Sequence, residues 1–248
     1  MNDAALVAAL ERAALNAVPA PRVLFDGPFV ARAHHGGTGR GNAASSLDAS
    51  PDPDLPARVE RIARFYARQG LPLRFRSTPL DPPGLADLLR ARGCVERDGT
   101  SVLRGDALAL ARPDAAVAVL GAPEPEWQAV VATAEYQTPA RQAEKREIPA
   151  LMAAEPGWFV LREQGATLAC LFAVADGEFC GVFDLAVRPE AKRHGLGARL
   201  MGAAADWGVA RGARHLWAQV AMTNAASQAL MARVGLREAY RYVYRREV

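Results

Sequence analysis

Leu6, Leu10 and Ala13/Ala14 recur at helical spacing behind an Asn2/Asp3 cap, and the run stops at Pro19 and Pro21. Strands are expected near 22–32 and 39–47, with His34-His35-Gly36-Gly37 between them read as a hairpin turn. A polar, proline-rich loop covers 50–56. Val59, Ile62, Ala63 and Tyr66 then form one helical stripe over 58–69, closed by Gly70. The pattern continues with a strand at 71–78, a helix at 83–92 closed by Gly93, and a strand pair or hairpin at 94–104. Asp106, Arg112-Pro113-Asp114 and Gly121-Ala122 punctuate 105–122, which reads as a domain boundary crossed by a strand.

The second half opens with two helical segments, 124–136 and 141–154. Three strands follow (157–163, 167–175 and 178–188), joined by turns at Gln164-Gly165 and Asp176-Gly177. A helix over 195–211, a strand at 215–220, a helix at 224–234 and a strand near 239–246 complete the pattern. The halves also repeat each other. At an offset of 142, Gly70 falls on Gly212, Leu88 on Leu230, Gly93 on Gly235 and Glu96 on Glu238. The expected fold class is therefore α+β: two related units in tandem, 1–112 and 116–248, each a mixed, mostly antiparallel sheet flanked by helices, the first copy eroded.

Composition narrows the function classes. Half of the 248 residues are hydrophobic and 23% are charged, as in ordinary globular proteins. No apolar run reaches the roughly 18–20 residues that span a bilayer, and no signal-peptide layout opens the chain, so a cytoplasmic protein without membrane association is expected. Cys94, Cys170 and Cys180 make no C-x-x-C pair and read as buried thiols. The four histidines lack ligand spacing, so no metal site is expected. The +3 charge is spread along the chain without an aromatic-interleaved basic stripe, which argues against nucleic acid.

The densest chemical information lies at Phe183–Leu200. An apolar strand runs to Val187, Pro189 ends it, and Lys192-Arg193-His194-Gly195-Leu196-Gly197-Ala198 opens a helix with Leu196, Leu200, Ala204 and Trp207 on one stripe. Glycines at 195 and 197 allow close backbone approach. The first helical N–H groups lack internal acceptors and, with the helix dipole, favour an anion such as a pyrophosphate. A dinucleotide-binding fingerprint is missing its third glycine, and hairpins rather than a βαβ unit precede the loop.

This stretch resembles the [Q/R]-x-x-G-x-[G/A] motif of the GNAT superfamily of acyl-CoA-dependent N-acyltransferases, with Lys192 in the first position. Asn224-Ala225-Ala226-Ser227-Gln228-Ala229-Leu230-Met231 through Gly235-Leu236 resembles the family's second motif, N-x-x-[AS]-x-x-L-Y-x-x-x-G-F. The resemblance covers 116–248, and more faintly the first half. It implies acetyl-CoA as co-substrate and a splayed strand in which Leu185, Ala186 and Val187 pair with the pantetheine arm. Pyrophosphate contacts would come from Lys192, Arg193, His194, Gly195, Leu196, Gly197 and Ala198, with Asn224 and Ser227 on the coenzyme side of their helix. The counterpart loop of the first half, 50–55, has two carboxylates and no glycine, so no coenzyme is expected there.

The same resemblance exposes a gap. The family's tyrosine proton donor is replaced by Met231, whose thioether has no proton to give. A glutamate base found in some relatives is replaced by Gln219. Asp184 is the remaining candidate base, and Tyr240, Tyr242 and Tyr244 share one strand face that reads mainly as packing. Glu124, Glu126, Glu135, Glu144 and Glu147 on the helices expected to form the acceptor wall can attract a cationic amine. The reading is an N-acetyltransferase acting on a primary amine of a small molecule or peptide, as a monomer or homodimer. The alternative is a non-catalytic acyl-CoA-binding sensor or interaction module.

Overall fold

The computed structural model describes residues 3–134 and 137–247. The chain runs α1 (Asp3–Ala17), β1 (Arg22–Asp26), β2 (Phe29–Ala33), β3 (Ala44–Ser46), α2 (Leu55–Arg68), β4 (Arg74–Ser77), α3 (Leu85–Ala91), β5 (Val95–Asp106) and α4 (Ala107–Leu110). It continues with β6 (Val117–Leu120), α5 (Pro125–Ala132), α6 (Pro139–Leu151), β7 (Glu155–Glu163), β8 (Ala166–Asp176), β9 (Phe179–Val187), α7 (Leu196–Val209), β10 (His215–Ala221), α8 (Ala225–Arg233) and β11 (Arg237–Arg246). All strands join one mixed sheet in the order β1-β2-β3-β4-β11-β5-β10-β9-β8-β7-β6.

The internal repeat is realised as structure. α2 and α7, β4 and β10, α3 and α8, and β5 and β11 occupy matching places in the two halves. Gly70 and Gly212 both adopt positive φ (+66° and +89°), as do Gly93 and Gly235 (+86° and +97°). Each closes a helix, where a left-handed residue costs glycine least. The last strand of each half is exchanged: β11 pairs with β4, β5 pairs with β10, and β5 and β11 pair with each other.

Three apolar clusters hold the layers. Leu55, Val59, Ile62, Phe65 and Tyr66 of α2 pack with Leu85 and Leu89 of α3 on Phe29 and Phe75. Each such side chain stabilises the fold by roughly 1.5–3 kcal/mol. Leu10 of α1 and Trp127 and Val130 of α5 share a second cluster with Trp158, Phe172 and Trp217. Leu196, Leu200 and Ala204 of α7 build the third with Leu171 and Leu216. The helical spacing that predicted α1, α2 and α7 marks these buried stripes.

Two expectations are corrected. The first hairpin turns at Gly27-Pro28, where Asp26 faces Phe29 and Gly27 takes φ +57°; His34–Gly37 belongs to a longer loop between β2 and β3. Pro28, placed inside a strand by its apolar neighbours, is a turn residue. Residues 95–106 form one long strand rather than a hairpin, because Asp98-Gly99 is a bulge: Arg97 faces Tyr244 and Thr100 faces Tyr242. Asp98 takes φ +55° there, which asparagine and aspartate tolerate better than most residues.

Candidate active site

Two neighbouring strands part at the centre of the sheet. Parallel pairing of β9 with β10 runs from Phe179↔His215 to Val182↔Ala218 and stops, although β9 continues to Val187 and β10 to Ala221. β9 also bulges against β8, since Phe183 faces Phe172 but Ala186 faces Cys170. Asp184 sits in the bulge at φ +53°, a conformation costing a non-glycine residue about 1–2 kcal/mol. The bulge redirects the strand and leaves Leu185, Ala186 and Val187 along the opening.

The basic glycine loop lies below this opening. Arg193 (φ +69°) and Gly195 (φ +79°) turn the chain into α7. The amide of Ala198 donates to the Gly195 carbonyl at 3.0 Å, whereas those of residues 193–197 have no acceptor among the described residues. Five consecutive amides at a helix start form the concentrated donor array that an anion needs. A Cβ at Gly197 would lie 3.1 Å from Leu230 Cδ2 and 3.6 Å from Leu185 Cδ2, so the missing side chain leaves the space between those two leucines open.

A groove of about 410 Å³ runs here, lined by Leu185, Ala186, Val187, Lys192, Arg193, Gly195, Leu196, Gly197, Asn224 and Ser227, all expected coenzyme residues. His194 and Ala198 do not line it; the Ala198 amide is already used within the helix start. Leu230 and Arg233 of α8 also line the groove and were not singled out from the sequence. Asn224 caps α8, its Oδ1 accepting the Ser227 amide at 3.0 Å.

Leu185, Asn224 and Ser227 also border a second cavity of about 430 Å³ on the other side of the parted strands. Its walls come from both halves: the loop 36–40, β4 and β5 from the first, and β9, β10, α8 and β11 from the second. Asp184 lines it and forms an ion pair with Lys145 of α6. Met231 lines it and is buried, so a thioether does occupy the place of the motif's tyrosine.

Gln219 anchors a polar network behind this cavity. Its Oε1 accepts from Arg40 Nε at 3.0 Å, Arg76 at 3.1 Å and the Tyr242 hydroxyl at 3.0 Å. Arg76 lies 3.6 Å over the Tyr242 ring and makes two bonds to Glu11, 2.9 and 2.6 Å long. Tyr240 donates to the same Glu11. Burial pushes the Tyr242 phenol up, but the Arg76 and Arg40 guanidiniums outweigh it and hold the group below its ordinary value. Tyr240 rises well above its ordinary value through burial, then through the Glu11 charge. The tyrosine stripe is therefore packing and electrostatics together.

The acidic residues expected to attract a cation are otherwise engaged. Glu144, 3% exposed, accepts the amides of His35, Gly37 and Thr38 and the Asn42 side chain. Glu147 pairs with His34 Nε2 at 3.2 Å and His35 Nε2 at 2.8 Å. These contacts lash the 34–38 loop to α6, a convergence that sequence spacing did not reveal. Glu124 and Glu126 pair with Arg162, and Glu135 lies outside the described residues. Cys94, Cys170 and Cys180 are buried and unpaired; burial raises all three thiols, Cys180 to about 12. No helix among the described residues is long and apolar enough to cross a membrane.

A parted pair of parallel strands beside a glycine-opened helix, within this element order, defines the GNAT superfamily fold. The chain belongs to the family described as "Probable histone acetyltransferase Rv0428c C-terminal", whose model matches residues 4–245. It is similar in structure to a GCN5-related N-acetyltransferase from Kribbella flavida (TM-score 0.71, 20% identity, 97% of this chain and 95% of that one). It is also similar to a tandem GNAT protein from the clavulanic acid biosynthesis pathway (TM-score 0.64, 14% identity, 96% and 86% covered). A third similar structure is an acetyltransferase from the GNAT family of Colwellia psychrerythraea (TM-score 0.54, 12% identity, 100% and 98% covered). At these identities the structural likeness speaks for the fold. No curated protein matches the sequence.

Proposed function

We propose that this protein transfers the acetyl group of acetyl-CoA to a primary amine of a small molecule or peptide, in the cytoplasm. The observation that carries this reading is the run of unpaired amides at 193–197 opening into a groove that meets a second, polar cavity at Leu185, Asn224 and Ser227. The residues present fit the co-substrate: the amides, Lys192 and Arg193 would hold the pyrophosphate, and the unpaired edge of Leu185–Val187 would pair with the pantetheine arm. On this reading 116–248 is the coenzyme-binding domain, and 1–112 is a degenerate copy that supplies one wall of the acceptor cavity.

Acetyl-CoA supplies the activated acyl group. The amine nitrogen bonds to the acetyl carbon as the carbon–sulfur bond breaks; the amine loses a proton, and the thiolate leaves or takes one up. Asp184 lines the second cavity next to Leu185, which borders both, and we assign it the proton removed from the amine, directly or through water. Holding amine and thioester together can lower the barrier by about 7–11 kcal/mol, so positioning supplies much of the rate.

A second reading, a non-catalytic acyl-CoA-binding module, is favoured by Met231 and by a Gln219 whose carbonyl is already occupied by three donors. Calorimetry with acetyl-CoA followed by turnover on an amine panel separates the two. Binding with turnover that falls about 10²–10⁴-fold in Asp184→Asn supports the enzyme. Binding with no transfer to any amine supports the module, and an absence of binding sinks both.

A further inference from the structure

The acceptor cavity has an unusual charge. Arg40, Arg74, Arg141 and Arg246 line it against Asp98 and Asp184, and Asp184 is already paired with Lys145. The carboxylates of α6 that would favour a cationic acceptor, Glu144 and Glu147, are spent on the 34–38 loop. Arg40 is held by Gln219 and Arg141 by the Gly37 carbonyl at 3.1 Å. Arg74 and Arg246 differ. Among the described residues neither side chain makes a hydrogen bond or an ion pair; Arg74 is half-buried, 6.0 Å from the Tyr244 ring, and Arg246 is exposed.

These two arginines are direct partners across the antiparallel β4–β11 ladder, Arg246 facing Arg74. Like charges in that position destabilise a sheet. Burial lowers the Arg74 guanidinium below its ordinary value, and the facing Arg246 charge adds to this against the raising effect of Tyr244. Asp98 is exposed at the bulge and, among the described residues, forms no ion pair with Arg74. A paired guanidinium fork is the geometry that a carboxylate or phosphate recognises.

Building on the transferase reading, we propose that the acceptor is an elongated amine carrying an anionic group, carboxylate or phosphate, at the end remote from the amine, and that Arg74 and Arg246 bind that group. The length follows from the sheet. Three paired strand steps separate β10 from β4, which carries Arg74, and at about 4.8 Å each they span roughly 14 Å between backbones, with the parted β9 that carries Asp184 lying beyond. Arg40, bonded to Gln219 of the intervening β10, and Arg141 line the same cavity and add to its cationic character.

A ruler series tests this: unbranched ω-amino carboxylates of increasing length, the matching ω-aminoalkyl phosphates, and α,ω-diamines, assayed with acetyl-CoA on wild type, Arg74→Met and Arg246→Met. The expected result is kcat/KM rising with length for one or both anionic series and staying low for diamines. In either variant the anionic preference then falls at least tenfold through KM, while the melting temperature holds or rises as the like-charge pair is relieved. A purely structural arginine would instead lower the melting temperature. Diamines accepted as well as the anionic amines, or variants that keep the preference, overturn the inference and leave the transferase reading intact. If nothing in the series is acetylated, calorimetry with long α,ω-dicarboxylates decides separately: binding weakened in both variants supports the anion site, and no binding overturns it.

Discussion

The Arg40 guanidinium, from the loop before β3, donates to the Gln219 side-chain oxygen of β10 at 3.0 Å across 179 positions of sequence. Arg76 and Tyr242 converge on the same oxygen. Replacing Gln219 by leucine leaves the buried Arg76 and the partly buried Arg40 each short of an acceptor, and stability should fall by about 2–3 kcal/mol in denaturant titration. Gln219→Glu places a carboxylate between the two cations and should match or exceed the wild-type midpoint. A leucine variant as stable as wild type would show that the network contributes nothing.

Glu144 organises the loop that forms one wall of the second cavity. Glu144→Ala orphans three amides and the Asn42 side chain, so a loss of about 2–4 kcal/mol is expected. Hydrogen exchange at His35, Gly37 and Thr38 should speed up first, because those amides lose their acceptor. Glu144→Gln keeps an oxygen in place and should recover part of the protection.

The groove proposed for the coenzyme depends on the bare α-carbon of Gly197. Gly197→Val puts methyl groups between Leu230 and Leu185, starting from a Cβ already 3.1 Å from the former. Acetyl-CoA affinity by calorimetry should drop at least tenfold, which corresponds to about 1.4 kcal/mol. The melting temperature should change little, since residue 197 is helical and partly exposed. Unchanged affinity would remove the groove from the coenzyme path.

Asp81 predicts a pH dependence of stability. Burial raises its carboxyl to about 6 from the ordinary 3.8, against the lowering effect of the Ser77 and Thr78 hydrogen bonds. A carboxyl raised in the folded state contributes its stability below pH 4 and loses it as pH climbs through 6, where the buried group must ionise. Asp81→Asn should therefore stabilise the protein by about 1–2 kcal/mol at pH 7.5 and by nothing at pH 3.5. A shift of the same size at both pH values would assign the effect to packing.

Periodicity made most of the fold legible. The stripes Val59-Ile62-Ala63-Tyr66 and Leu196-Leu200-Ala204 mark helices that bury those residues, and the glycines of the 142-residue repeat all close helices with positive φ. The groove that we propose holds the coenzyme was legible as a feature because its residues sit in one contiguous segment, the strand-loop-helix of 183–200. The acceptor cavity was not. Arg40, Arg74, Arg76, Tyr242 and Arg246 are scattered, and only the exchange of β5 and β11 brings them together. The role of Glu144 was hidden for a similar reason, since its partners lie over 100 positions away. Asp98-Gly99 misled because a bulge and a turn use the same residues.

The crossing of β5 and β11 makes the two halves hostage to each other. A polypeptide cut between residues 112 and 116 would yield fragments that each lack the strand needed to cover an open edge, β4 in one and β10 in the other. Such fragments should aggregate alone yet reassemble when refolded as a mixture. The exchange of strands thus ties the two halves into a single folding unit.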